Sequence, residues 1–308
     1  DEVDGTPAQM MPPAAVLRDS FNSTDRNKTD DNFDAVAKVW YDLNDTSSLY
    51  LGVAQKTRSP SYQERYLWLP LEATGGLADG RLYTGNIELD PEVSKQIELG
   101  LDYSGTKLTL SPRVFYNQVK DYIQGTPSEV TPAVMFVRMM NTMNGNNNED
   151  PLQFNNVDAT LYGFDVDWAL QLDQHWQLTG LLNYVRGERD DSSDDNLYRI
   201  APPNATARVQ YQGHRWNAIV EGIAYADQDD VSATNSEQKS NSYEVLNLLL
   251  NWQASEQLQL SLGVDNLFDK NYAPHLGGYN RAQNPDIGLR ERLPATGING
   301  FARVFFQF

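Results

Sequence analysis

The sequence predicts an all-β protein: an antiparallel transmembrane β-barrel wall of about 11 strands. Two observations carry that reading. Apolar and polar residues alternate with a period of two through segment after segment, as in Leu258, Leu260, Leu262 and Val264 against Gln259, Ser261, Gly263 and Asp265. The connections between segments alternate strictly between short and long. A strand with an apolar outer face and a polar inner face suits a wall between lipid and water, and outer-membrane barrels place short turns at one end and long loops at the other. A soluble sheet has alternation too, but no reason to put every long loop at one end.

Composition sets the bounds. The 308 residues carry a net charge of -18, and no basic stripe suggests a nucleic-acid partner. Cysteine is absent, which removes disulfide and thiolate chemistry. Mean hydropathy is -0.56, and no apolar run reaches the length of a membrane helix. A barrel strand needs only about 9 to 11 residues, half of which can be polar.

Residues 1–33 read as loop or the remnant of a preceding strand, with Pro12-Pro13 and the polar run from Thr24 to Asp31. The barrel wall occupies 34–308. Strands are expected at 34–43, 47–56, 93–103, 106–121, 157–172, 176–188, 198–211, 215–226, 242–253, 257–267 and 298–308. Alternation is plain in several. Phe164, Val166, Trp168 and Leu170 oppose Asp165, Asp167 and Gln171, and Leu246, Leu248, Leu250 and Trp252 oppose Asn247 and Asn251. The last strand sets Ala302, Val304, Phe306 and Phe308 against Arg303 and Gln307, with Phe305 breaking the pattern. Short links include Asn44-Asp45-Thr46, Ser104-Gly105, Asp173-Gln174-His175, Gln212-Gly213-His214 and Ala254-Ser255-Glu256. Trp and Tyr gather near strand ends (Tyr41, Tyr103, Trp176, Tyr211, Trp216, Trp252), as interfacial girdles do.

The ending resembles the C-terminal part of TonB-dependent outer-membrane receptors. The residues that carry this are Asp265-Asn266-Leu267-Phe268-Asp269-Lys270-Asn271-Tyr272, then His275-Leu276, Gly278-Tyr279-Asn280-Arg281, Leu293-Pro294 and the aromatic terminus. Arg58-Ser59-Pro60-Ser61-Tyr62-Gln63-Glu64 and Leu89-Asp90-Pro91-Glu92 are similar to the family in the same order. The resemblance implies a 22-stranded plugged barrel in the outer membrane, of which this chain would supply the C-terminal half. It implies uptake of a metal chelate, most often an iron-siderophore, energised by TonB through a plug domain. No plug domain and no TonB-contacting segment precede the first strand, so the chain is expected to be a fragment. The implied partners are outer-membrane lipid, the TonB system, the barrel assembly machinery at the C-terminal strand (Phe306 and Phe308 as its insertion signal) and a small-molecule or metal-chelate ligand. No enzyme activity and no cofactor are implied.

The candidate ligand residues lie in long loops. Met135, Met139 and Met143 repeat at i, i+4, i+8, and thioethers are soft ligands suited to Cu(I), which keeps copper open as cargo. The commoner use of such residues, beside Val134, Phe136 and Val137, is apolar packing; Met10 and Met11 could join either. His275 suits a metal or chelate, or a structural loop role. Arg281, Arg290 and Arg292 could meet an anionic chelate, or serve in loop salt bridges. The acidic runs 190–195 and 227–230 lack a calcium-loop spacing and read as solvated tips. Asp165, Asp167, Arg208, Asp265 and Arg303 fall on the polar face and are expected to meet the lumen or a plug. The alternatives are a smaller outer-membrane barrel, either a passive porin or a barrel enzyme such as a phospholipase or protease, and a soluble carbohydrate-binding β protein. The chain holds only three His, two of them at short turns, and none beside a Ser.

Overall fold

The computed structural model describes residue 3 and residues 11–71, 80–191, 196–282 and 285–307. Eleven long strands form one antiparallel meander: β1 (Ala35–Asn44), β2 (Ser47–Arg58), β4 (Glu92–Ser104), β5 (Leu108–Pro127), β6 (Leu152–Gln171), β7 (Trp176–Arg189), β8 (Asn204–Gln212), β9 (Trp216–Tyr225), β10 (Tyr243–Gln253), β11 (Leu258–Asp265) and β12 (Asn299–Phe306). A two-residue strand, β3 (Tyr83–Thr84), runs parallel to the start of β6. Each long strand pairs with the next in the chain, and β1 and β12 are the edges of the described sheet.

The register decides which residues share a face, because directly opposed side chains point the same way. Leu51 stands opposite Leu99, Leu99 opposite Val114, and Val114 opposite Phe164. On the far side Val220 opposes Leu248, Leu248 opposes Val264, and Leu262 opposes Ala302. One face of the sheet is therefore apolar across its whole width. It is also bare: Leu99 is 51%, Leu262 54% and Val304 67% exposed. Such an exposed apolar wall is unstable in water and is what lipid requires. At its short-turn end Trp176 meets Tyr211 at 4.9 Å and Tyr211 stacks on Trp216 at 4.6 Å, an interfacial aromatic row.

Short turns close one end. Asp173 shows how: its Oδ1 accepts the N–H groups of His175 (2.7 Å) and Trp176 (2.9 Å), which hold its carboxyl below the ordinary carboxylate range. The long connections all lie at the other end and carry the buried apolar clusters.

Three expectations are corrected there. Residues 1–33 are not only loop or strand remnant: Pro12–Ser23 forms helix α1, started by a proline in its first turn. The strands expected at 106–121 and 157–172 reach further into the connection between them, because β5 and β6 run on to 20 residues each and project past the membrane, with helix α3 (Thr131–Asn144) between them. The bulge that re-aims them lies between Val119 and Tyr122, where Asp121 takes φ 59°. The strand expected from 198 begins at Asn204, after Pro202-Pro203, which lack N–H donors for a ladder.

Outside the membrane, α1 packs on α3 around Ala14, Leu17, Leu82, Ala133, Phe136 and Val137. The projecting hairpin adds Ile123, Leu152 and Phe154 around Tyr83 and Leu89. A short helix α2 (Tyr62–Tyr66) begins with a reciprocal cap: Glu64 N–H bonds Ser61 Oγ at 3.3 Å and Ser61 N–H bonds the Glu64 carboxylate at 2.6 Å.

An arginine placed mid-wall on the apolar face should be costly. Leu262→Arg is expected to lose about 2–4 kcal/mol in urea unfolding from lipid vesicles, and Ser261→Arg, on the polar face, distinctly less.

Candidate ligand-binding site

The site lies at the long-loop end, where α3, the projecting hairpin and the last three long loops meet. Helix α3 carries the methionines. Met139 and Met140 pack against the Ala133–Phe136 core, as does Met11. Met135 and Met143 stay 56% and 61% exposed. Residues four apart on a helix are neighbours, so Met139 can approach each of the other two, while Met135 and Met143 lie about 12 Å apart along the axis. Met10 lies outside the described residues.

His275 is buried. Its Nε2 sits 3.1 Å from Glu237 Oε1, its Nδ1 3.0 Å from Ser240 Oγ, and its side chain is 1% exposed. Arg292 bonds the carbonyl of His275 and that of Gln238 (2.7 Å) and lies over the Tyr279 ring at 4.8 Å. Arg290 reaches Asn148 Oδ1 at 2.9 Å and Glu149 at 3.7 Å. Arg281 is exposed in the same loop. The acidic runs join ion pairs: Asp191 with Arg189 (2.7 Å), Asp229 with Lys239 (3.1 Å), and Asp230 with Arg186. Residues 192–195 lie outside the described residues. Among those described, no group of three or more His, Asp or Glu could hold a metal ion.

The register sets Asp165, Asp167, Arg208, Asp265 and Arg303 on the polar face. Asp165 stands opposite Arg113 and Asn183, Arg208 opposite Glu221, which it contacts, and Asp265 opposite Asn299. Arg303 lies over Phe301 at 4.7 Å. Arg113 itself lies over Tyr50 at 4.8 Å and bonds Asp102 at 2.5 Å. Gly100 permits this, because a Cβ there would meet Arg113 Cδ at 2.3 Å. At the long-loop end of the same face, Tyr225, Tyr243 and Tyr272 stack in series at 5.0 and 4.3 Å. They border a cavity of about 590 Å³ with Asn247, Asp265 and Asn299. Phe306 is 53% exposed on the apolar face opposite Leu258; Phe308 lies outside the described residues.

Sequence patterns did not single out the residues that tie these loops together. Arg81 is buried and bonds Ser236 Oγ (2.5 Å), the Asp150 carbonyl (2.9 Å) and Glu149 (2.7 Å), joining three distant segments. Arg65 holds Asp30 through both nitrogens, at 2.8 and 2.7 Å. Such pairs have no period; Arg58 and Glu64 alone sat in a motif, and they pair at 2.9 Å.

A family model described as "TonB dependent receptor-like, beta-barrel" matches residues 15–267. The chain belongs to the TonB-dependent receptors. Their barrels stand in the outer membrane, which accounts for the apolar wall, and the relatives found are receptors and transporters rather than enzymes. The pesticin receptor of Yersinia pestis is 26% identical over 245 residues, covering 75% of this chain and 30% of that protein. The TonB-dependent heme receptor A of Haemophilus influenzae is 24% identical over 268 residues, covering 77% and 34%. This TonB-dependent receptor chain thus spans about a third of the curated relatives it matches. Among solved structures, the copper transporter OprC superposes with TM-score 0.70 at 24% identity, covering 89% of this chain and 39% of that one. A variant of the ferric enterobactin receptor of Pseudomonas aeruginosa gives 0.65 at 18%, covering 89% and 40%. At these identities the likeness is one of fold.

Arg65 hydrogen-bonds and attracts the Asp30 carboxylate, holding it below the ordinary carboxylate range. A lowered folded pKa stabilises the loop above the unfolded value and loses that contribution as pH falls through the folded one. Hydrogen exchange at 62–66, corrected for intrinsic rate, is therefore expected to be flat from pH 7 to about 5 and to quicken below about pH 4. Asp30→Asn should be faster throughout and keep only the part of the acid step that protonation of the capping Glu64 contributes.

Proposed function

We propose that this chain is the C-terminal half of a TonB-dependent receptor that captures copper, as Cu(I), at the cell surface. TonB would supply the energy through a plug domain carried by the longer protein. One observation carries the choice of cargo: Met135 and Met143 stand more than half exposed on α3, in line with the half-buried Met139. Thioethers bind Cu(I) well and hard or highly charged ions poorly. Two neighbouring methionines on a helix can share an ion, so Met135–Met139 and Met139–Met143 are alternative pairs. Meanwhile His275, Arg290 and Arg292, the groups best suited to an anionic chelate, are engaged between loops. The resemblance in fold to a copper transporter is consistent with this cargo.

The second reading is a ferric or haem chelate. It is favoured by the lumen-facing stack of Tyr225, Tyr243 and Tyr272, which offers flat aromatic surface beside a cavity large enough for part of an organic ligand. Relatives named for haem and for ferric enterobactin point the same way. Here Arg281 would meet the ligand's negative charge, and Asp165, Asp167, Arg208, Asp265 and Arg303 would face the plug.

Titration of the full-length receptor separates the two, using Cu(I) held reduced by ascorbate, redox-inert Ag(I), ferric enterobactin and haemin. Copper capture predicts Cu(I) and Ag(I) binding that weakens at least about tenfold in Met135→Ala/Met143→Ala, with little further loss in Arg281→Ala. Chelate binding unaffected by the methionine changes, without Cu(I) binding, would overturn it.

A further inference from the structure

One buried carboxylate gathers donors from three of the long loops. Glu237, in the loop between β9 and β10, has a side chain only 2% exposed. Its Oε1 accepts the Arg199 N–H (3.0 Å) from the loop before β8 and lies 3.1 Å from His275 Nε2, in the loop between β11 and β12. Its Oε2 accepts the Ser232 N–H at 2.9 Å. His275 is fixed from its other side by Ser240 Oγ. A shell closes around the pair: the Arg199 guanidinium donates to the Leu276 carbonyl (2.6 Å), and Arg292 donates to the Gln238 carbonyl and to Tyr279 Oη (2.9 Å).

Burying two such polar groups rarely stabilises a protein more than apolar packing of the same volume. What it does is select one arrangement, since every other arrangement leaves a buried group unsatisfied. It also makes a two-state contact. Closed, both groups are fully bonded. Opened to water, both are solvated, so the contact can be broken as a unit. Apolar side chains in the same place would tolerate sliding and partial separation.

We infer that Glu237 and His275 form a latch that couples segments 231–240 and 274–280, and the backbone at Arg199, so that these parts of three long loops open together. The inference does not depend on which ligand the receptor carries.

Hydrogen-exchange mass spectrometry on the full-length receptor in lipid nanodiscs tests it. In the unaltered protein, segments 231–240 and 274–280 should open together, exchanging as one correlated population. In His275→Ala both segments should lose protection together, by at least about tenfold, while β9 and β10 keep theirs. His275→Gln, which keeps a donor facing Glu237, should recover part of the loss in both. Loss in one segment alone, or in neither, overturns the latch. If His275→Ala fails to insert, independent opening of the two segments in the unaltered protein overturns it equally.

Discussion

No water reaches a backbone N–H inside a bilayer, so every such group in this wall must bond to the next strand. The meander meets that demand with the shortest connections available. Each long strand from β1 to β12 pairs with its sequence neighbour, and five tight turns suffice at one end. Once the ladder is set, the two faces are set with it. A slip of one residue would turn Leu248, Leu250 and Leu262 into the lumen and Asn247, Asn251 and Ser261 into lipid. The register is thus held by the cost of polar groups in hydrocarbon as much as by the hydrogen bonds themselves.

The same constraint frees the long-loop end. Backbone there can leave the ladder because water and protein satisfy it. That is where α1, α3 and the projecting β5–β6 hairpin build a second, extracellular core around Phe136, Tyr83 and Leu152. Loops that would otherwise fray are cross-linked by buried or half-buried polar contacts: the ion pairs of Arg65 with Asp30 and Arg81 with Glu149, and the hydrogen-bonded contact of His275 with Glu237. Exposed surface ion pairs contribute little, but these hold several backbone groups at once. The long-loop end is therefore a built structure, and the exposed Met135 and Met143 stand out against it.

The wall was legible in the sequence because lipid imposes a period of two. Most strand ends fall within a few residues of where alternation stops, and Asn266-Leu267-Phe268-Asp269 marks the exit of the penultimate strand. The outer end was harder to read. Pro12-Pro13 looked like a loop, yet proline in the first turn starts α1. Residues 122–127 and 152–156 continue the hairpin without a clean alternation, since their faces meet protein on one side and water on the other. The methionine repeat was visible as a helix face, but not that its middle member packs inward. No local pattern connects Glu237 to His275, 38 residues on; only the fold brings them together.

The central claim is that one face of this sheet meets lipid and the other does not. The chain has no cysteine, so single cysteines can be placed along β10 and labelled with nitroxide in the full-length receptor, on a cysteine-free background in lipid vesicles. Labels at Leu246, Leu248 and Leu250 should be relaxed strongly by oxygen dissolved in the bilayer. Those at Asn247, Leu249 and Asn251 should be shielded from it. A period of two in oxygen accessibility supports the lipid-facing wall; equal accessibility at all six positions, or relaxation only by an aqueous nickel chelate, contradicts it.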